Sequence, residues 1–384
     1  MRVCYFGTYE KDYPRNRVII QGLRGNGVEV VECHYPLWER VSDKTGNYLA
    51  FLNLIMLFFR AVVGYASLSY RYFRSGSFDV VMVGYIGQLD VLWVKLLNVF
   101  HHKPVVFNPL ISLYDTLVTD RQIYAKGSMP AKALYSLDKW SMKLADLVIL
   151  DTHAHIEYIT ELFDLDPKKF IRVFVGADDK IFYRRDDRPR EDGLFRVLFF
   201  GKFIPLHGIH HILYAAKELD NNQEIRFQII GRGQLSKEIH KLAEILQLRN
   251  VDFIDWVDYE DLPQYIHDAD VCLGIFGDSG KAQRVIPNKV FQCLAMEKPV
   301  VTSLSPASLE LMVSGHHGIL CEPPFTEAIK ESIQQLKQNV LLRQRLAVNG
   351  GKLFQENLNS IRLASELADL LRSQTGSKFC EAPH

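Results

Sequence analysis

Short apolar runs recur along the chain, separated by longer stretches whose apolar positions return every three or four residues. In the first half the runs are Arg2–Gly7, Val28–Tyr35, Phe78–Tyr85, Pro104–Leu110, Leu147–Asp151 and Phe170–Val175. Amphipathic or apolar helical segments such as Arg15–Arg24, Ile86–Val99 and Ala131–Ala145 lie between most of them. Strands that are apolar nearly throughout and alternate with helices predict a parallel sheet covered on both faces. Asp178–Gly193 breaks the rhythm: it is dense in charge and contains Pro189, so it reads as a linker. The alternation then restarts, with strands predicted at Phe195–Gly201, Arg226–Gly231, Val251–Trp256, Val271–Phe276, Pro299–Ser303 and Gly318–Cys321. Helices are expected to begin near Gly208, Leu235, Tyr259, Asn288, Pro306 and Thr326. Beyond Leu341 only helix is expected, as far as Leu371.

This pattern predicts an α/β protein of two doubly wound, Rossmann-like domains. The expected divisions are 1–180 for the first domain, 181–193 for the linker and 194–345 for the second domain. Closing helices at 346–373, possible crossovers to the first domain, and a disordered tail at 374–384 complete the scheme. A chain of 384 residues also exceeds the roughly 250–300 at which one hydrophobic core stops growing. Ligands in such sheets bind outside the carboxyl ends of the strands, so the cleft between the domains is the expected site.

Composition narrows the function. The 45 basic residues balance 45 acidic ones, which removes the broad positive footprint expected of a nucleic-acid binder. Six cysteines are present, none forms a CxxC pair, and Cys4, Cys33, Cys272 and Cys321 sit in apolar runs. They read as reduced small hydrophobes, which argues against a disulfide scaffold or cysteine zinc site and points to the cytoplasm. The opening MRVCYFGTYE reads as a strand and turn, its apolar run being too short for a signal peptide. Tyr48–Val63 is almost wholly apolar but contains Asn53 and Arg60. It admits three readings: a helix buried in the first domain, a helix resting on a bilayer, or a membrane span.

Three segments of the second half carry candidate chemistry. In Leu198–Gly208 a strand turns into a helix through Gly201, Lys202 and His207, and a helix start beside a cation makes an anion site. Gly231–Gln234 places Arg232 in a tight turn after another strand. Gly277–Val301 is the most informative. Its loop and helix start bring together Lys281, Arg284 and Lys289 around Ile286, Pro287 and Asn288, with proline expected in the first helical turn and asparagine at the cap. A diphosphate placed there would meet unpaired N–H groups, the positive helix end and lysine together.

With these residues in view, most of the chain resembles the family 4 retaining glycosyltransferases, which adopt the GT-B fold of two facing Rossmann-like domains. The resemblance rests on Gly201, Lys202, His207 and Gly208, on Phe291–Val301 (FQCLAMEKPVV), and on Val175-Gly176-Ala177-Asp178 followed by Phe182. It implies that the second domain binds a nucleotide sugar of the UDP or GDP type, with no other cofactor and no metal. The donor set it implies is Gly7, Gly201, His207, Arg232, Arg284, Ile286, Pro287, Asn288 and Gln292, with Lys202, Lys289 and Asp115 as catalytic candidates. Tyr114, Asp120 and Arg121, in the polar segment after the fourth strand, are the acceptor candidates. The acceptor class implied is a glycan or lipid-linked sugar, reached at the inner face of a membrane.

The chain departs from the family at telling places. Arg284 and Gln292 stand where two glutamates are usual, Glu297 replaces a glycine, and His207 replaces a lysine, so its charge is expected to vary with pH. Gln292 could still accept a ribose hydroxyl, more weakly than a carboxylate, whereas Arg284 can only donate. Phosphate binding is therefore expected to be kept and sugar recognition altered. Two other readings stay open: a GT-B epimerase or phosphorylase, and a non-catalytic nucleotide-sugar binder.

Overall fold

The computed structural model describes residues 1–37, 51–186 and 192–376. Tyr48 to Ala50, the linker positions 187–191 and the tail positions 377–384 lie outside the described residues. The first sheet contains β1 (Arg2–Gly7), β2 (Glu29–His34), β3 (Val80–Val83), β4 (Val105–Phe107), β5 (Leu147–Leu150) and β6 (Phe170–Arg172). They are all parallel, in the order β2-β1-β3-β4-β5-β6. The pleat sends alternate side chains to opposite cores: Val3 and Tyr5 to one, Cys4 and Phe6 to the other. That double burial is why the strands read as continuous apolar runs rather than alternating ones. Helices α1 (Pro14–Gly25), α2 (Phe51–Arg74), α3 (Gln88–Leu97), α4 (Met129–Leu144) and α5 (His153–Phe163) connect them.

The second sheet contains β7 (Phe195–Phe200), β8 (Ile225–Ile230), β9 (Val251–Ile254), β10 (Val271–Leu273), β11 (Val300–Ser303) and β12 (Ile319–Cys321). It is again parallel, in the order β12-β11-β10-β7-β8-β9. Its helices are α6 (Ile209–Glu218), α7 (Ser236–Ile245), α8 (Leu262–Asp268), α9 (Asn288–Ala295), α10 (Pro306–Leu311), α11 (Phe325–Gln338) and α12 (Val340–Asn357). Because β7 lies between β8 and β10, the strand order reverses there. In open α/β sheets the carboxyl ends of the strands at such a reversal are where a ligand crevice is expected.

The last helix, α13 (Ser360–Gly376), packs against α1 of the first domain. A side-chain carbon on Gly22 would stand 2.0 Å from the Ser360 carbonyl, so the two helices meet closely enough to require glycine. Asn26 Nδ2 donates to the Ile361 carbonyl at 2.8 Å, and Ser360 Oγ donates to Asp179 at 3.1 Å. One apolar cluster joins the two sheets, running from Val18 and Ile19 through Val175 and Phe182 to Phe291, Leu294, Leu363 and Leu367.

Three expectations change. Strands β3, β4, β6 and β10 end two or three residues before their apolar runs do, and the final residues of those runs line loops instead. Helix α13 continues to Gly376, into the stretch from Gln374 read as disordered. Helix α2 is not buried along the part of the Tyr48–Val63 segment whose side chains are described: Met56, Phe58, Phe59, Val62 and Val63 are all more than half exposed. Among the described residues no helix is long and apolar enough to cross a membrane.

Candidate functional site

Strand β7 ends at Phe200, and Gly201 turns the chain with φ 142°, a conformation that side chains disfavour. A 3₁₀ turn at Pro205–His207 follows, and Gly208 at φ 60° caps α6. A side-chain carbon at Gly208 would lie 2.3 Å from the Phe276 carbonyl, and Phe276 N–H donates to His207 O at 3.1 Å. The loops leaving β7 and β10 are therefore pressed together at the crevice. His207 is buried, meets Phe199 edge-on at 5.5 Å, and donates from Nδ1 to the Lys202 carbonyl. Burial, and then the nearby Lys289, hold its pKa well below the usual histidine value. The imidazole stays neutral at physiological pH. This corrects the expectation that its charge varies there: an exposed lysine-like position would titrate, a buried loop brace does not.

Lys289 enters the same crevice from α9. Its Nζ is 3.7 Å from the centre of the Phe199 ring and 3.4 Å from the Gly274 carbonyl. A side-chain carbon on Gly201 would stand 3.2 Å from it. Among the described residues no carboxylate pairs with Lys289, and burial pushes its pKa well below the ordinary lysine value. A buried amine beside a ring and a carbonyl, with no carboxylate to hold its proton, is favoured in its charged form by an arriving anion.

Helix α9 adds its own positive end. Pro287, not Asn288, is the N-cap, with no side chain bonded to the first turn. This reverses the expected order of the two, and the reason is local: Pro287 is extended at ψ 149°, and Asn288 is the first helical residue. Asn288 lies close to the Tyr13 hydroxyl of the first domain, while Ile286 is buried.

The other predicted cations are engaged elsewhere. Arg284 donates to Asp115 Oδ1 at 3.0 Å and lies 3.4 Å over the Tyr158 ring. Lys281 Nζ donates to Thr116 Oγ1 at 2.6 Å and stands 3.5 Å from Asp115 Oδ2. Ser279 Oγ donates to Asp120 at 3.1 Å, and Gln234 Nε2 donates to the Arg121 carbonyl at 3.0 Å. The polar segment after β4 forms a π-helical turn, Asp115–Asp120, and its acids receive the second domain's β10 loop. Asp115, Asp120, Arg121, Lys281 and Arg284 thus make one bridge between domains.

The remaining candidates are scattered around this centre. Lys202 is exposed at the mouth of the β7 loop, and Arg232 is exposed with its guanidinium 5.5 Å over Trp256. Gln292 is buried, with Nε2 3.5 Å from the Tyr259 hydroxyl. Tyr114 packs edge-on against Tyr135 at 5.4 Å. Gly7 abuts α3: a side-chain carbon there would lie 2.4 Å from Asp90, whose carboxylate accepts the Thr8 N–H. Burial raises the Asp90 pKa to about 6.

Two residues escaped the sequence reading. Arg15 is wholly buried, bonding Asn108 Oδ1 at 3.0 Å and the carbonyls of Val173 and Phe174. The helical segment Arg15–Arg24 contained it, but apolar spacing shows where a helix lies and not that an arginine points inward. Glu310, from α10, accepts the N–H groups of His153 and Ala154 at 2.9 Å each, so it caps α5 across the domain boundary. Nothing in the local sequence announces that role.

Residues 182–353 match the family described as glycosyl transferases group 1. That segment of the chain is therefore similar to a group 1 glycosyltransferase domain. The β7 turn, the β10 loop and α9 all fall inside the matched segment. An uncharacterized glycosyltransferase of Methanocaldococcus jannaschii is 24% identical over 195 residues, covering 50% of this chain and 51% of its own. A putative colanic acid biosynthesis glycosyl transferase of Escherichia coli is 26% identical over 195 residues, 48% and 47% of the two chains. The chain thus spans about half the length of these two curated relatives. Among solved structures, HepE of Anabaena bound to UDP aligns with a TM-score of 0.67 at 14% identity, over 97% of this chain and 100% of its own. Sucrose-phosphate synthase of Thermosynechococcus elongatus aligns with a TM-score of 0.74 at 15% identity, over 98% and 99%. These alignments span both sheets, so the group 1 domain sits in a GT-B fold with the first domain as its partner.

Proposed function

We propose that this chain is a retaining glycosyltransferase that moves a sugar from a UDP- or GDP-type donor to an acceptor hydroxyl without a metal. The observation that carries the reading is the buried, carboxylate-free Lys289 beside the open start of α9, at the strand-order reversal of a group 1 domain. In this reading the donor diphosphate lies between the Gly201 turn and α9. Lys289, the N–H groups of α9 and Lys202 at the mouth stabilise the charge that grows on the leaving diphosphate. His207 braces the turn as a neutral ring. The acceptor hydroxyl attacks from the first-domain side, near the bridge centred on Asp115.

A nucleoside diphosphate should raise the melting temperature of the full chain, and Lys202→Ala and Lys289→Ala should each reduce or abolish that rise. No shift with UDP, GDP, ADP or TDP would overturn the donor site. A non-catalytic binder is the second reading, favoured by Arg284, which stands in a usual glutamate position and is held by Asp115. Mass-spectrometric detection of sugar release or transfer across a donor panel separates the two. Binding without turnover supports the binder.

The acceptor we favour is a lipid-linked or cell-surface glycan, handled at the inner face of a membrane. Support comes from the apolar outer face of α2, where Phe58, Phe59, Val62 and Val63 are exposed, together with Leu96, Val99 and Phe100 at the end of α3. Arg71 and Arg74, also exposed, lie toward the end of the same helix. Relatives named for colanic acid and lipopolysaccharide core biosynthesis point the same way.

A further inference from the structure

The loop leaving β10 begins Gly277-Asp278-Ser279, and Asp278 lies against the first turn of α6. There His210 and His211 stand ring to ring, their centroids 4.0 Å apart. Asp278 Oδ2 is 3.4 Å from His211 Nε2 and 4.0 Å from His210 Nε2. One ligand atom from each of the three lies within 4.8 Å of the others. A tetrahedral ion with metal–nitrogen bonds of about 2.0–2.1 Å holds its ligand atoms about 3.3 Å apart. The His211–Asp278 pair is already near that spacing. His210 can close the remainder by side-chain rotation, since its ring and the Asp278 carboxylate are 41% and 70% exposed.

One further contact fits the same use. The other nitrogen of His211, Nδ1, is 3.5 Å from Thr326 Oγ1, which fixes the ring's direction in the way that outer partners of ligating histidines do. Two imidazoles and one carboxylate suit a borderline divalent cation such as zinc, and leave a coordination position for water. The positive end of α6 works against a cation, so the affinity should be moderate rather than that of a closed structural site.

We propose that His210, His211 and Asp278 form a zinc-type binding site on the second domain, outside the proposed donor crevice. Its consequence is mechanical. Ser279, the next residue, bonds Asp120 of the first domain at 3.1 Å, so an ion held by Asp278 fastens α6 to the loop that bridges the domains.

The test uses tag-free full chain, stripped with a chelator and titrated with Zn²⁺ at pH 7.5 by calorimetry. One ion per chain is expected, with a dissociation constant on the order of 1–100 μM. His211→Ala and Asp278→Asn should each weaken binding about tenfold or more. The three side chains are partly exposed, so the ion-free variants should keep the wild-type melting temperature, which separates lost binding from lost folding. Another adjacent histidine pair, His316 and His317, whose rings meet edge to face at 4.6 Å, serves as control: His316→Ala should leave binding unchanged. Unaltered zinc binding in the His211→Ala/Asp278→Asn double variant would overturn the assignment, as would absence of binding up to about 1 mM in the wild type.

Discussion

Lys289 sets function against stability at a single residue. A buried ammonium without a counter-charge destabilises the fold, and a similar apolar side chain removes that cost. Lys289→Met should therefore raise stability by about 1–3 kcal/mol in denaturant unfolding while abolishing the shift produced by a nucleoside diphosphate. An arriving diphosphate favours the charged lysine, so binding should take up a proton, and affinity measured calorimetrically should fall as the pH rises from 7 to 9. His207 titrates the other way. Its folded pKa lies below that of the unfolded chain, about 6.5, so the unfolded form takes the proton first. The stability it contributes is present above about pH 6.5 and is lost as the pH falls through the folded pKa. The melting temperature should drop between pH 7 and pH 5, and His207→Gln should lessen that drop. At this scale the sequence told which residues gather at the crevice but not their charge states. Chemical type is local, whereas burial of Lys289 against Phe199 depends on a strand almost a hundred positions earlier in the chain.

Among the elements, the twelve strands were legible because a strand buried on both faces has an unmistakable run of apolar residues. Their ends were less so: Val271–Phe276 reads as one strand, yet Gly274 onward already belongs to the loop that carries the site. The π-helical turn Asp115–Asp120 was legible only as a polar loop, since its shape follows from Lys281 and Arg284 docking on it. That bridge predicts a specific energetic result. Asp115→Ala leaves Lys281 and Arg284 inside without their carboxylate, and removing one partner of a buried ion pair costs about 3–5 kcal/mol. Denaturant unfolding should register that loss, while Asp115→Ala combined with Arg284→Met should recover part of it. Helix α2 makes a separate prediction. The full chain should sediment with vesicles containing anionic lipid, and Phe58→Ser/Phe59→Ser should weaken that association. No sedimentation of the wild type would remove the membrane from the proposed function.

For the whole molecule, the linker suggested a boundary between two units, but the apolar cluster from Val18 to Leu367 crosses it. Charge density around Asp178 marked a change of composition, and concealed that Arg17 pairs with Asp178 at 2.9 Å and reaches toward Glu260 at 3.9 Å. Such partners are invisible to any local pattern. The shared cluster predicts that calorimetry finds one cooperative thermal transition; two well-separated transitions would show that the halves hold together only weakly. The meeting of α1 with α13 has a consequence for synthesis. Asn26 and Ile361 touch although 335 residues separate them, so a nascent first domain leaves the ribosome with one flank of α1 bare. It stays so until the far end of the message is translated, a wait of tens of seconds at ordinary elongation rates of roughly 5–20 residues per second. During that interval Ile19, Leu23 and the glycine notch at Gly22 are a patch for chaperones to shield.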